Sequence, residues 1–188
     1  MKTYISLTII KGGDISSKTV KKIDEIWQKA FPGNESVDPR NRKFFSNNIF
    51  FIVRNKIKIL SCGRLVPVEV NFMGKRYKIM GIADIVSVIK EKGYGKILMS
   101  EIYKYIKKRK QTGIGFCSQK NSLFYQKCGF MIVEGQEKRF LFRNKEGKMI
   151  LELDEDDECI VYLEGKDNFI KNVLANPKEK ILVPRSHW

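Results

Sequence analysis

The segment Lys90-Glu91-Lys92-Gly93-Tyr94-Gly95 sets two glycines one residue apart among three lysines, Lys90, Lys92 and Lys96. Glycine adopts backbone angles closed to other residues and lets a ligand approach without a Cβ clash. If a helix begins there, its first amides lack partners and its dipole presents positive charge, the makings of a phosphate or pyrophosphate site. The Walker A pattern is absent, so nucleotide binding of that kind is excluded. A few residues earlier, Asp84 is a lone carboxylate inside the apolar run Ile82–Val88. A charge in such a run needs either a partner or a chemical task, such as accepting a proton. Strand alternation would place Asp84 on one face with Val86 and Val88, opposite Ile85 and Ser87. A solvated stretch or a lysine partner is the alternative.

These residues have to be positioned by a mixed α/β scaffold. Tyr4–Ile10 alternates as a strand, and Ser16 or Ser17 caps a helix whose apolar face is Val20, Ile23, Trp27 and Ala30, stopped at Phe31-Pro32-Gly33-Asn34. A short helix and loop fill 35–47. Strand patterns follow at Ile49–Val53, Ile57–Val70 and Arg76–Val88, joined by turn signals at Arg54-Asn55-Lys56 and Met73-Gly74-Lys75. Ile97, Leu98, Ile102, Tyr105 and Ile106 mark one helix face, which ends near Gly113. Next come a strand Ile114–Cys117, a helix Asn121–Lys127 stopped by Gly129, and a hairpin of Arg139–Arg143 with Met149–Leu153. An acidic turn at Asp154–Glu158, a strand Ile160–Leu163 and a helix Asn168–Leu174 complete the chain. Antiparallel hairpins precede the glycine turn, which disfavours a dinucleotide-binding βαβ unit. Residues 1–165 are expected to form one domain, with a tail 166–188 packed on it.

Composition narrows the function classes. The chain has 188 residues and no apolar run near the roughly 20 a membrane helix requires. Its first residues carry no export segment, so a cytoplasmic protein without a membrane partner is expected. Four cysteines lie singly and His187 is the one histidine, which argues against a zinc site and against a Ser-His or Cys-His hydrolase; no metal is expected. The formal charge of +15 is uneven, with 31 Lys+Arg against 12 Asp+Glu in the first 150 residues and 5 against 9 afterwards. A basic body attracts anions, nucleic acid included, and Lys104, Lys107, Lys108, Arg109 and Lys110 crowd one helix end. No nucleic-acid-binding motif accompanies that charge, so such a partner is not favoured.

About 30 residues beyond the glycine turn comes Asn121-Ser122-Leu123-Phe124-Tyr125-Gln126-Lys127-Cys128-Gly129-Phe130. Long strand, K-x-x-G-x-G turn, helix, short strand and N-x-x-x-Y-x-x-x-G-F together resemble the GNAT (GCN5-related N-acetyltransferase) superfamily over Ile79–Phe130. The resemblance implies a mixed, mostly antiparallel central sheet flanked by helices. It also implies acetyl transfer from acetyl-coenzyme A to a primary amine by direct attack. Val86, Ser87 and Val88 would pair with the pantetheine arm. Lys90, Glu91, Lys92, Gly93, Tyr94 and Gly95, with Lys96 beyond, would hold the pyrophosphate, and Asn121 would contact the cofactor arm. Tyr125 would protonate the departing thiolate, and Asp84 would accept the amine's proton. A phenol has a pKa of about 10 and a thiol about 8.5, so the site must offset that difference. A core tyrosine packed beside Phe124 and Phe130 is the alternative. Lys90 stands where the family has Arg or Gln, which keeps charge and loses the planar fork.

The acidic turn, Ala30-Phe31-Pro32-Gly33, Asp84 and the final Trp188 resemble the aminoglycoside 2′-N-acetyltransferase branch, where acidic groups and a terminal Trp carboxylate bind a polycationic sugar. That resemblance points to Asn34, Asp84, Asp157 and Trp188 as acceptor-binding residues. Asn34 and Ser186 stand where the branch has acids, and the basic body opposes a polycation as natural acceptor. The expected acceptor is a small amine, such as an amino sugar. Acetylation of aminoacyl-tRNA and a non-catalytic acyl-coenzyme A sensor stay open as alternatives, as does a homodimer.

Overall fold

In the computed structural model, which describes residues 4–32, 37–151, 153 and 157–188, the expected pattern of strands and helices is present. In chain order the elements are β1 (Ser6–Lys11), α1 (Ser17–Ala30), a 3-10 turn (Pro39–Phe44), β2 (Ile49–Arg54), β3 (Ile59–Phe72), β4 (Lys75–Ser87) and α2 (Tyr94–Arg109). There follow β5 (Gly113–Cys117), α3 (Gln119–Lys127), β6 (Met131–Glu134), a 3-10 turn (Glu137–Arg139), β7 (Phe140–Arg143), β8 (Met149–Ile150), β9 (Cys159–Leu163), α4 (Phe169–Ala175) and β10 (Ile181–Val183). The strand pairings are mixed and mostly antiparallel, with helices beside them, as expected. Among the described residues, no helix is long and apolar enough to cross a membrane. The chain divides into two compact units, Met1–Val66 with Ala83–Ile102 and Pro67–Ile82 with Tyr103–Trp188.

In the first unit, Ser16 caps α1 by accepting the Thr19 amide at 3.2 Å, a device worth about 1 kcal/mol. The spacing of Val20, Ile23 and Trp27 then turns one helix face inward, and all three are buried. They join Phe45, Phe50, Ile52, Cys62 and Val86 in one apolar cluster. Phe50 stacks on Trp27 at 5.9 Å. Strand β2 pairs antiparallel with β1 and with β3, and the latter ladder shifts register at Val53/Arg54.

In the second unit, β5 pairs parallel with β4 at two positions, Met80 with Gly113 and Gly81 with Ile114. On its other side β5 runs antiparallel to β9 from Gly113–Leu163 to Cys117–Cys159. Strand β9 also pairs with β6, and β10 pairs parallel with β7 and antiparallel with β3. Phe72, Tyr77 and Phe169 pack with centroids 6.2 and 4.8 Å apart and help fill this core. Arg139, only 6% exposed, donates to the carbonyls of Val173, Asn176 and Glu179, which ties the segment after α4 to the start of β7.

Several boundaries differ from the sequence expectation. Strands β6 and β10 were not expected; at four and three residues they are too short to display a period. The strand expected over Met149–Leu153 is confined to Met149–Ile150. The strand expected to reach Val88 ends at Ser87. Asn34 and residues 154–156 of the acidic turn lie outside the described residues.

Candidate functional site

The end of β4 is held by bonds that its sequence does not announce. Ser61 Oγ donates to the Val86 carbonyl at 2.8 Å, and the Val88 amide donates to the Leu60 carbonyl at 2.9 Å. Asp84 has a φ of +53°, the left-handed region, in the middle of the strand. Such a residue interrupts the two-residue alternation. The expected shared face of Asp84, Val86 and Val88 therefore fails: Val86 is buried, while Val88 lies past the strand and is 44% exposed. The twist is fastened at both ends of Asp84. Trp27 Nε1 donates to its carbonyl at 2.8 Å, and Arg64 Nε donates to its Oδ2 at 2.5 Å. The guanidinium also lies over the Trp27 ring, 5.2 Å from its centre. The partner expected for Asp84 in the absence of a catalytic task was a lysine; the structure supplies an arginine. Nearby, burial and then the Asp84 charge push the Cys62 thiol up to about 12, with Trp27 acting in the opposite direction.

Past Ser87 the chain forms the glycine turn. Ser87 Oγ donates to the Ile89 carbonyl at 3.0 Å, Glu91 has φ +59° and Gly93 φ +77°. A Cβ at Gly93 would meet no atom within 4 Å, so glycine is required there for its backbone angle and not for space. The first α-helical bond of α2 runs from the Ile97 amide to the Gly93 carbonyl at 3.1 Å. The amides of Tyr94, Gly95 and Lys96 precede it and have no intrahelical acceptor. No acidic residue occupies the first turn of α2, and Lys90, Lys92 and Lys96 are exposed. Gly93, Lys96, Ile97, Ser100 and Glu101 line an open depression of about 330 Å³. Chemically the arrangement suits an anion, with a recess adjoining it.

The second unit holds the other expected residues. Ser118 opens α3 in an extended conformation, and the Asn121 side chain donates to its Oγ at 3.1 Å while remaining exposed. Tyr125 is half-buried, with Phe124 5.2 Å from it. Phe130, offered by the sequence as a packing neighbour of Tyr125, donates its amide to the Tyr125 carbonyl at 3.2 Å and sets its ring edge-on to Tyr103. Burial first, then Cys117, Cys128 and Asp157, hold the Tyr125 phenol well above its ordinary pKa. The phenol thus stays protonated at neutral pH and keeps a hydrogen to donate.

Trp188 lies against Gly81, where an added Cβ would sit 2.5 Å from the indole Nε1. Its ring is 5.6 Å from Phe116 and 5.7 Å from Phe142. The Nε1 donor is buried and has no hydrogen-bond partner among the described residues. Beside it, His187 Nε2 faces Asp157 Oδ2 at 3.8 Å. Four of the expected residues, Asn121, Tyr125, Asp157 and Trp188, thus lie within one unit, with the His187 ring 6.0 Å from that of Trp188. Asp84 and the turn from Lys90 to Lys96 belong to the other unit. Sequence reasoning passed over Arg64 and His187. Arg64 is the one charge in the apolar run Ile59–Val68, a signal parallel to that of Asp84. Among the described residues there is no cluster of His, Cys, Asp and Glu able to hold a metal ion, and the four cysteines form no disulfide.

Comparison with known proteins adds independent findings. The family model described as an acetyltransferase (GNAT) domain matches residues 14–133. The fold is similar to that of an acyl-CoA N-acyltransferase from Pseudomonas aeruginosa, with a TM-score of 0.56 at 13% identity, over 84% of this chain and 97% of that one. It is similar to a GNAT family N-acetyltransferase (YhbS) from Escherichia coli in complex with CoA, with a TM-score of 0.60 at 11% identity, over 100% and 92%. Glucosamine-6-phosphate N-acetyltransferase from Arabidopsis thaliana gives a TM-score of 0.51 at 20% identity, over 67% and 92%. No curated protein sequence matches the chain.

Proposed function

This chain belongs to the GNAT acetyltransferase family, and on that premise we propose that it transfers acetyl from acetyl-coenzyme A to a primary amine of a small molecule. The observation that carries the reading is the left-handed turn at Glu91–Gly93, which delivers three helix-opening amides into a lysine-lined surface. Those amides and Lys90, Lys92 and Lys96 take the pyrophosphate, a charge that helix starts bind well. Val86, Ser87 and Val88 offer main chain to the pantetheine arm, and Asn121 contacts it. Tyr125 gives its proton to the leaving sulfur. Bound acetyl-coenzyme A supplies the activated acyl group; the protein supplies orientation and proton handling.

Asp84 is reassigned within this reading. Protonating it would strip Arg64 of its partner where both side chains are under one-fifth exposed, 19% and 15%. Breaking a buried pair in that way costs about 3–5 kcal/mol. Asp84 therefore acts on the acceptor as a fixed negative charge that orients the ammonium. Asp157 and Trp188 complete the acceptor surface, for which an amino sugar is the leading candidate. The exposed basic end of α2, from Lys104 to Lys110, favours one variation, an aminoacyl-tRNA acceptor.

Titration with coenzyme A and thiol release from acetyl-coenzyme A with a panel of amines (glucosamine, kanamycin, a lysyl peptide and an aminoacyl-tRNA) test the reading. Gly93→Val forces a β-branched residue into the left-handed region, a strain of about 1–3 kcal/mol, so coenzyme A affinity should fall roughly tenfold. Unchanged affinity would remove the turn from the cofactor site. Steep salt dependence of the tRNA reaction would select that acceptor.

A further inference from the structure

We propose that Arg64 and Trp27 are positioning residues for the cofactor: through Asp84 they set which main-chain groups at the end of β4 remain for the pantetheine arm. The inference rests on the acyl-transfer reading and narrows the main-chain contact on β4 from three residues to Ser87. Trp27, Arg64, Asp84, Ser87 and the turn from Lys90 to Lys96 all lie in the first compact unit.

In a strand, the N–H and C=O of one residue point to one edge and those of the next residue to the other. Before Asp84 the even-numbered positions of β4 face β5: the Met80 amide donates to the Thr112 carbonyl at 2.9 Å, and Met80 pairs with Gly113. After Asp84 the even-numbered positions face β3. The Val86 carbonyl accepts from Ser61 Oγ at 2.8 Å, and the Val88 amide donates to the Leu60 carbonyl at 2.9 Å. The phase has therefore changed by one residue between Met80 and Val86. Among the described residues of β4, Asp84 alone has a positive φ, +53°, and so marks the place of the change. Ser87, between two residues that face β3, turns its own N–H and C=O away from that strand. With Asp84 extended, the phase would run on unchanged. Ser87 would then face β3, and the groups of Val86 and Val88 would be left over instead.

A residue other than glycine holds a positive φ in a strand only where its surroundings over-determine it. Two side chains do so here. Trp27 Nε1, on a side chain 4% exposed, donates to the Asp84 carbonyl at 2.8 Å, and Arg64 Nε donates to Oδ2 at 2.5 Å. The guanidinium lies 5.2 Å from the centre of the Trp27 ring, so the two holds support each other. Both are made by protein groups alone. A main-chain partner arranged in advance reduces the ordering that binding requires. The pyrophosphate turn takes its shape from other residues, Glu91 and Gly93. Clamp and turn therefore act on different parts of one cofactor.

The test measures coenzyme A affinity by titration, well below the Tm of each variant, and amide exchange by NMR. Trp27→Phe keeps a ring and removes the donor to the Asp84 carbonyl; it should weaken coenzyme A roughly five- to tenfold, the scale of one hydrogen bond. Arg64→Met should weaken it at least as much. Adding Asp84→Gly to Arg64→Met should bring affinity back to within about threefold of wild type, because glycine takes a positive φ without a clamp and leaves no stranded charge. Lost packing alone would lower the Tm of Arg64→Met and leave the affinity of its folded fraction unchanged. In wild type, coenzyme A should slow exchange of the Ser87 amide by roughly tenfold or more. Folded single variants that bind coenzyme A as tightly as wild type overturn the proposal. So does a folded double variant that stays weak, or a Ser87 amide whose exchange bound coenzyme A leaves unchanged. If Arg64→Met does not fold, Trp27→Phe and the Ser87 amide decide the matter. A wild type that does not bind coenzyme A would instead overturn the acyl-transfer reading, and this positioning role with it.

Discussion

Two carboxylates, one in each unit, are treated in opposite ways. Asp84 on β4 is clamped by a permanent cation, Arg64, at 2.5 Å, and its own carbonyl is held by Trp27. Asp157 faces a group able to gain or lose its charge, His187, at 3.8 Å, and bears on the phenol of Tyr125. A guanidinium does not deprotonate at any working pH, so the first pair is a fixture of the strand. An imidazole is charged only when protonated, so the second pair is not fixed in the same way. The contrast is between a carboxylate paired with a permanent charge and one facing a group whose charge is not permanent, although both are mostly buried acids in apolar surroundings.

The largest expected effect breaks the first pair. Arg64→Met should lower the free energy of unfolding by about 3 kcal/mol, because it leaves Asp84 charged and unpaired in a mostly buried place. Asp157→Asn should cost less than that, because it strands no permanent charge and the amide keeps a hydrogen-bonding oxygen in the same place. Urea unfolding of both variants measures the gap; equal losses would erase the distinction.

Next comes Tyr125→Phe, which should reduce kcat roughly 100-fold while KM for acetyl-coenzyme A stays within about twofold. The raised pKa of Tyr125 keeps its proton in place well past neutrality. The wild-type rate should therefore hold on the alkaline side until beyond about pH 10, the ordinary phenol value. A fall through pH 8–9, absent in the variant, would mean that the phenol titrates too early to be this acid.

The smallest effect sharpens the aromatic side of the comparison. Gly81→Ala would place a methyl 2.5 Å from the Trp188 indole, so the ring must shift. Overpacking of this kind costs about 1–3 kcal/mol, and the lower end is expected because Trp188 can tilt. A thermal melt with Trp188→Ala combined should recover most of the loss; no recovery would place the clash elsewhere.

Much of the scaffold was legible because its signals are local. Ser16 followed by Val20, Ile23 and Trp27 announces both the start of α1 and its buried face. The turn from Lys90 to Gly95 is equally readable, because glycine spacing reports a backbone need directly. Strands β6 and β10 escaped notice because Met131–Glu134 and Ile181–Val183 acquire meaning only from partners distant in sequence. The alternation assigned to Asp84 failed for a related reason. Its left-handed backbone is held by Trp27 and Arg64, 57 and 20 residues away in the chain.

Sequence by itself determined the family, the glycine turn that opens α2 and the candidate acid on α3, since each depends on residues within a few positions of one another. Tertiary structure alone decided which charged group each acid faces. It joined Asp84 to an arginine on β3 and brought His187 to Asp157 beneath an aromatic wall drawn from β5 and β7. A carboxylate's role depends on the charge and dryness of what surrounds it, and folding chooses those surroundings from remote parts of the chain.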